Sequence, residues 1–364
     1  MRDETHGEEV HELVAHLFRH KAAEILSVLV RVLGFEHVDL AEDVVQETLI
    51  KALQQWPYSG VPQNPAGWLL QVAKNRAFDV LRRQTNFRSK EDEIARQLEE
   101  RLSPASLLQP QPFQDEQLTL MFSCCDPAFP REVQVTLILK TLCGFNVSEI
   151  ARAFLTSEPT IAQRIVRAKK RIRTEKIRFE IPEKNALQER LDAVLQVIYL
   201  LFNEGYSATA GAELVRMDLC DEAIRLANLL VSHPSGDRPK THALLALLYF
   251  QASRFGARTD EAGNLFLLAE QDRYQWNRDW ISRGFHHLDQ SASGEELSHY
   301  HLEAGIASTH AIAPDFESTD WRRILDFYDA LLETDDSPVV RLNRAVALMM
   351  IDGPAAGIRA LETR

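Results

Sequence analysis

Cationic, amide and aromatic side chains at helical spacing are the groups of this chain best suited to act on a partner. In Asn64–Arg83, Lys74, Phe78 and Arg82 fall at i, i+4 and i+8, with Asn75, Asp79 and Arg83 beside them. Such a stripe suits single-stranded nucleic acid, since cations neutralise phosphates and a ring gives a base a stacking face. The same spacing also fits Phe78 packed on a neighbouring helix, with Asp79 and Arg83 as an ordinary i, i+4 pair.

A second group lies in Val147–Arg173. Val147–Leu155 reads as a short helix opened by Asn146 or Ser148. Thr156–Ser157–Glu158–Pro159 is a turn and cap, and Pro159–Arg173 reads as a second helix. Ile161, Ile165, Ala168 and Ile172 share its inner face. Thr160, Gln163, Arg164, Arg167 and Lys170 or Arg171 face outward. This is the layout of a helix-turn-helix, in which Gln and Arg have the donors and acceptors for base edges and later cations suit phosphate. A plain exposed basic helix is the alternative.

The helix Leu40–Trp56 is of the opposite kind. Leu40, Val44, Val45, Thr48, Leu49, Ala52, Leu53 and Trp56 make an apolar face, and Glu42, Asp43, Gln46, Glu47 and Lys51 a polar one. That polar face is either simply solvated or a docking surface for a partner bearing Arg and Lys. Catalytic constellations are missing. No C-x-x-C, H-E-x-x-H, G-x-S-x-G or Gly-rich phosphate loop occurs, and Cys124–Cys125, His286–His287, His299 and His301 lack metal-ligand spacing. No cofactor, metal or enzyme activity is expected; an all-helical enzyme would need turnover that depends on Glu204.

The elements that position these groups are helical throughout, so the expected fold class is all-α. Residues 8–88 read as three or four helices, 89–114 as a charged then Pro-containing linker with one short helix, and 115–180 as a second helical block. From 186 to 364 helix follows helix, and the last two are joined at Asp352–Gly353–Pro354 in the manner of one helix-pair repeat.

At 364 residues, with 45% hydrophobic and 26% charged, the chain has the composition of a soluble multidomain protein. No apolar run reaches membrane-helix length. The acidic N-terminus has no signal-peptide core, and four cysteines suit a reduced cytoplasmic setting. The net charge of −12 argues against nucleic acid only as an average. Residues 1–180 hold 24 basic against 25 acidic residues, and residues 181–364 hold 17 against 28. Lys74–Lys90 has six basic residues to one acid, and Asn146–Glu180 nine to four. Two basic patches on an acidic chain fit nucleic acid meeting particular surfaces.

Taken in order, LAEDVVQETLIKALQQW, NPAGWLLQVAKNRAFDVLRR and SEIARAFLTSEPTIAQRIVRAKKRIR strongly resemble bacterial RNA polymerase sigma factors of the extracytoplasmic-function group. YLLFNEGYSA, LCDEAIRLANLL, LAEQDRYQWNRDWISRGFHHL and SPVVRLNRAVALMMIDGPAAGIRALE resemble its branch with a C-terminal tetratricopeptide-like extension. The resemblance implies sigma region two over 1–88, a linker over 89–114, region four over 115–180 and an acidic repeat-like extension over 186–364. It assigns Asp43, Gln46, Glu47 and Lys51 to the beta-prime clamp helices of core polymerase, with the beta flap a further contact. Lys74, Asn75, Phe78, Asp79, Arg82 and Arg83 go to the minus-ten element, and Ser157, Thr160, Gln163, Arg164, Arg167 and Lys170 to the minus-thirty-five element.

The chain departs from its relatives at two points. Members of the group often place His after the paired cysteines, where this chain has Asp126. Relatives also continue with more repeat helices beyond the position of Ala360, so the final pair is expected to expose an apolar face. The extension is expected to regulate the sigma domains, to hold a small YCII-like partner protein or to act as a solubilising segment. A stand-alone helix-turn-helix regulator with a helical effector domain is the competing reading of the whole chain.

Overall fold

The computed structural model describes residues 21–83, 91–101, 110–206, 217–260, 264–334 and 336–362. Among these residues the regular structure is helical, with one isolated antiparallel bridge, Thr259 to Leu265, and no strand. The chain divides into two compact units, Met1–Val197 and Ile198–Arg364. The segments expected to be the two sigma regions both fall in the first.

In the first unit, residues 21–33 form α1, which Gly34 ends at a φ of 95°. A short 3-10 turn, Phe35–His37, leads into α2 (Val38–Ser59), and Gly60, again at positive φ, returns its N–H to the Trp56 carbonyl. Helix α3 (Pro65–Arg83) begins where the sequence signals it. Asn64 accepts from the Gly67 N–H at 2.9 Å, and Pro65 opens the helix without wasting a donor.

Trp56 is 1% exposed and meets Trp68 edge-on at 5.4 Å, joining α2 to the start of α3. Burial of such a ring contributes roughly 2–3 kcal/mol. Leu69, Leu70, Ala73 and Ala77 line the buried side of α3. Val72 and Val80 of the same helix are half-buried. Both α2 and α4 pack on α3.

Helix α4 (Glu91–Arg101) packs on α3 and occupies part of the expected linker. Residues 84–90 and 102–109 lie outside the described residues. Helices α5 (Pro110–Cys124), α6 (Arg131–Thr141), α7 (Val147–Ala153) and α8 (Glu158–Glu175) follow, with α6 packed on α5, α7 and α8. Asp126 accepts from the Ala128 N–H at 2.9 Å and from Arg190 at 2.6 Å. Arg131 donates to the Ala193 carbonyl at 3.0 Å. These bonds tie the first part of α9 (Lys184–Tyr206) to α5 and α6 within the first unit.

The second unit holds the end of α9, then α10 (Met217–Val231), α11 (Pro239–Ala252), α12 (Arg278–Ser291), α13 (His299–Ile312), α14 (Trp321–Leu332), α15 (Pro338–Asp352) and α16 (Pro354–Glu362). From α10 onward each helix packs on the next, and α11 also meets α13. Phe250, Trp276, Ile281, Ala304 and Ala307 form one core; Leu302, Ile306, Ile324, Leu331 and Ala347 form the next. Arg273 has three donor contacts, to the His310 carbonyl, the Ala313 carbonyl and Thr319, and so closes the end of α13. Gly353 at φ 89° joins α15 to α16, as the sequence reading expected. Val339, Leu342, Ile358 and Leu361 on that last pair are more than half exposed.

Candidate nucleic-acid interface

The polar face of α2 is set by its buried one. Val44, Val45, Thr48, Ala52 and Trp56 turn inward, which leaves Asp43, Gln46, Glu47 and Lys51 exposed along the opposite side. Asp43 and Glu47 lie one turn apart with like charge. Arg76 of α3 relieves this, donating from Nη2 to Glu47 Oε1 at 2.7 Å and closing a second contact through Nε. The hydrogen bond to Glu47 holds the Arg76 pKa above its usual value, against the pull of desolvation.

Glu42 requires a correction. The sequence reading set it on the solvated face, but it is 8% exposed. Lys169 of α8 covers it, donating to Glu42 Oε2 at 2.8 Å and meeting Asp39 Oδ1 at 2.7 Å. Arg173 reaches Asp39 Oδ2 at 2.7 Å. Burial works to lower the Lys169 pKa, but the Glu42 charge and the bonds to Asp39 and Glu42 outweigh it, so the ammonium is held above its usual value.

On α3, Asn75, Asp79 and Arg82 are exposed, and Lys74 and Phe78 are half-buried. Asn75 accepts from Gln71 at 3.0 Å. The Arg83 side chain lies outside the described residues. The five described side chains occupy the solvent-facing side of the helix, opposite Leu69, Ala73 and Ala77.

Helix α7 opens with a reciprocal cap. The Asn146 side chain accepts from the Glu149 N–H, and Glu149 accepts from the Asn146 N–H. Leu155 takes a φ of 47° to turn the chain, and Thr156 N–H returns to the Ala151 carbonyl at 2.9 Å. Ser157 then caps α8, accepting from the Thr160 N–H, while the two hydroxyls bond at 2.8 Å. Ser157 and Thr160 are therefore exposed but engaged with each other.

Ile161, Ile165, Ala168 and Ile172 are buried, as their spacing predicted. Gln163, Arg167 and Lys170 remain exposed. Arg164 does not stand outward with them. It is half-buried and donates to Thr136 Oγ1 at 3.2 Å and the Glu132 carbonyl at 3.4 Å, both on α6. The contacts of Lys169 and Arg173 with α2 had no local sequence signal, because their partners lie 127 and 134 residues away.

Among the described residues, no group of three His, Cys, Asp or Glu side chains is arranged to hold a metal ion, and no helix is long and apolar enough to cross a membrane. All four cysteines are buried, and burial pushes the Cys124 thiol up to about 12.

Residues 17–87 match the family description Sigma-70 region 2, and residues 190–292 match a family of unknown function, DUF6596. The chain is 43% identical over 330 residues to an uncharacterized protein of Rhizobium meliloti (strain 1021), a match covering 90% of this chain and 78% of that protein. No solved structure matches the chain. Members of the sigma-70 family are non-enzymatic transcription initiation factors, and region 2 implies binding of core RNA polymerase and promoter DNA. The region 2 match over 17–87 supports a sigma-factor role, and the chain belongs to one family with the Rhizobium meliloti protein.

Proposed function

We propose that this chain is a sigma factor of the extracytoplasmic-function group that docks on core RNA polymerase through α2, opens the minus-ten element with α3 and reads the minus-thirty-five element with α8. The observation that carries the reading is the region 2 match over 17–87, which spans a helix with an exposed acidic face and a second with an exposed basic one. Asp43, Gln46, Glu47 and Lys51 meet the beta-prime clamp helices. Lys74, Arg82 and Arg83 neutralise phosphates, Phe78 offers a ring to an unstacked base, and Asn75 and Asp79 supply hydrogen-bonding groups. Unstacking costs roughly a few kcal/mol, which pocket and phosphate contacts offset.

Residues 115–180 serve as region four, with α7 and α8 as a helix-turn-helix. Gln163 and Arg167 face base edges, Ser157 and Thr160 lie at the helix N-terminus beside them, and Lys170 suits phosphate. Arg164 joins this set once it leaves α6. We read the extension from 186 onward as tetratricopeptide-like, a reading that the packing of each helix on the next from α10 supports. Its role in this reading is regulatory, with a small YCII-like protein as a candidate partner. The polymerase, not this chain, makes the bonds of the transcript.

The test is to mix the purified chain with core polymerase and follow co-elution and run-off transcription from a library of genomic fragments. Promoter-specific transcripts that vanish with Asp43→Lys/Glu47→Lys are the expected result. Tight duplex binding by the chain alone, with no co-elution, belongs to a stand-alone regulator and would overturn the reading.

A further inference from the structure

Past the end of α11, Arg254 and Arg258 flank the 3-10 turn Phe255–Ala257, and both are half-buried. Arg254 donates through Nε to Gln271 at 3.1 Å and through Nη1 to Gln251 at 3.2 Å. Arg258 donates through Nη1 to the Tyr206 carbonyl at 2.5 Å and lies over the Tyr206 ring at 3.7 Å. All of these partners are neutral. Among the described residues no carboxylate bonds either guanidinium, and Arg254 Nη2, Arg258 Nε and Nη2 and the Tyr206 hydroxyl have no partner.

That isolation is selective. Residues 181–364 hold 28 acidic against 17 basic residues, and other arginines of this unit take carboxylates: Arg225 with Glu222, Arg341 with Asp336 and Arg344 with Asp329. The positive charge also continues inward. The Trp276 ring, 3% exposed, lies 5.4 Å from the Arg254 guanidinium and 5.1 Å from that of Arg273. Arg273 is 5% exposed, and neither its Nε nor the Trp276 indole N–H has a hydrogen-bond partner. Asp315 and Glu317 act on Arg273 only through their charge, and Asp315 bonds Ser318. Burial and the Arg258 charge hold the Arg254 pKa below its usual value, and burial with Arg254 does the same to Arg273.

Partly desolvated cations without a counter-charge are costly, and a guanidinium fork matches the oxygens of a carboxylate or phosphate. The platform is rigid: the Tyr206 ring stacks on Phe202 at 5.6 Å and meets Phe255 at 6.0 Å. We infer that Arg254, Arg258 and the Tyr206 hydroxyl form a binding site for a small oxyanion, a carboxylate or phosphate group. The site lies in or beside the segment that matches DUF6596 and stands apart from the proposed polymerase and promoter surfaces. The unengaged guanidinium donors take the oxygens of the ligand, which supplies the counter-charge that the fold omits. Binding therefore stabilises this unit.

The test is urea unfolding of the full chain in sodium chloride, sodium phosphate or sodium acetate at one pH and one ionic strength. The midpoint rises saturably with phosphate or acetate and not with chloride, and the salt that acts identifies the group. Arg254→Gln/Arg258→Gln abolishes the rise. Arg258→Lys keeps the charge without the fork and raises the concentration for half the effect about tenfold, the loss of one charge-assisted bond. Tyr206→Phe raises it by a smaller factor, and Arg341→Gln, which alters an arginine already paired, leaves it unchanged. If the double variant does not fold, Arg258→Lys and Tyr206→Phe carry the test. No rise beyond that in chloride, or a half-effect concentration unchanged in both of these variants, overturns the site.

Discussion

Arg76 of α3 donates to Glu47 of α2 at 2.7 Å, so the exposed acidic face of one helix is braced by the basic helix beside it. The bond neutralises the repulsion between Asp43 and Glu47 and fixes the Glu47 carboxylate on the surface assigned to polymerase. Structure and proposed function therefore share this side chain, and the two contributions separate by substitution.

Glu47→Gln keeps an acceptor for Arg76 and removes the charge, whereas Glu47→Lys repels Arg76. Glu47 is exposed and Arg76 half-buried, so either change costs about 1 kcal/mol of stability. Transcription with core polymerase falls modestly for Glu47→Gln and is lost for Glu47→Lys. Denaturant melts alongside run-off assays check this. A large stability loss with unchanged transcription would assign Glu47 to the fold alone.

Three residues of α8 should respond differently. Gln163→Ala relaxes base preference at one position of the upstream element, at about 1–3 kcal/mol. Arg167→Ala alters base preference or, where its contact is phosphate, weakens binding evenly across sequences and lowers the salt slope by about one. Arg164→Ala removes donors to α6 and so lowers the stability of the α6–α8 packing before it alters promoter choice. Holoenzyme binding to a panel of single-base promoter variants, with a urea melt for each protein, distinguishes the three.

These contrasts mark what the sequence made legible. Local signals were readable: the caps at Asn64, Asn146 and Ser157, the apolar row Ile161, Ile165, Ala168 and Ile172, and the turn at Gly353. Each depends on neighbours within a few turns. Burial of Glu42, the inward turn of Arg164 and the pairing of Asp126 with Arg190 were not readable. They depend on which helices meet, and a polar residue looks the same in periodicity whether water or a distant Lys satisfies it.

Gly284 of α12 is a site of close approach. A Cβ there would stand 2.6 Å from Cε1 of Phe250, a buried ring packed edge-on against Phe285 at 4.9 Å. Gly284→Ala is expected to destabilise by about 1–3 kcal/mol despite the better helix propensity of alanine. Urea unfolding measures this, and Phe250→Leu on the same background recovers part of the loss. A stabilised Gly284→Ala would mean that the ring yields freely.

Histidine burial gives the extension a pH dependence. Burial, with the charges of His242, His286 and Arg283, pushes His287 down to about 4. Burial, with Arg254 and Arg273, pushes His310 down to about 3. An unfolded histidine takes a proton near 6.5, so between that pH and about 4 the unfolded chain binds more protons. Stability is therefore full above 6.5 and declines as pH falls through this window. The loss from pH 7 to pH 5 is on the order of 2 kcal/mol after discounting for partial exposure. Urea melts at both pH values check it, and His287→Phe should flatten the slope; equal midpoints at the two pH values would contradict the burial of neutral rings.

The most direct measurement is run-off transcription by core RNA polymerase supplied with this chain, read across a genomic fragment library. The account predicts transcripts from a limited set of promoters sharing an upstream and a downstream element, lost in Asp43→Lys/Glu47→Lys. Polymerase that neither binds the chain nor starts at new sites in its presence would contradict it.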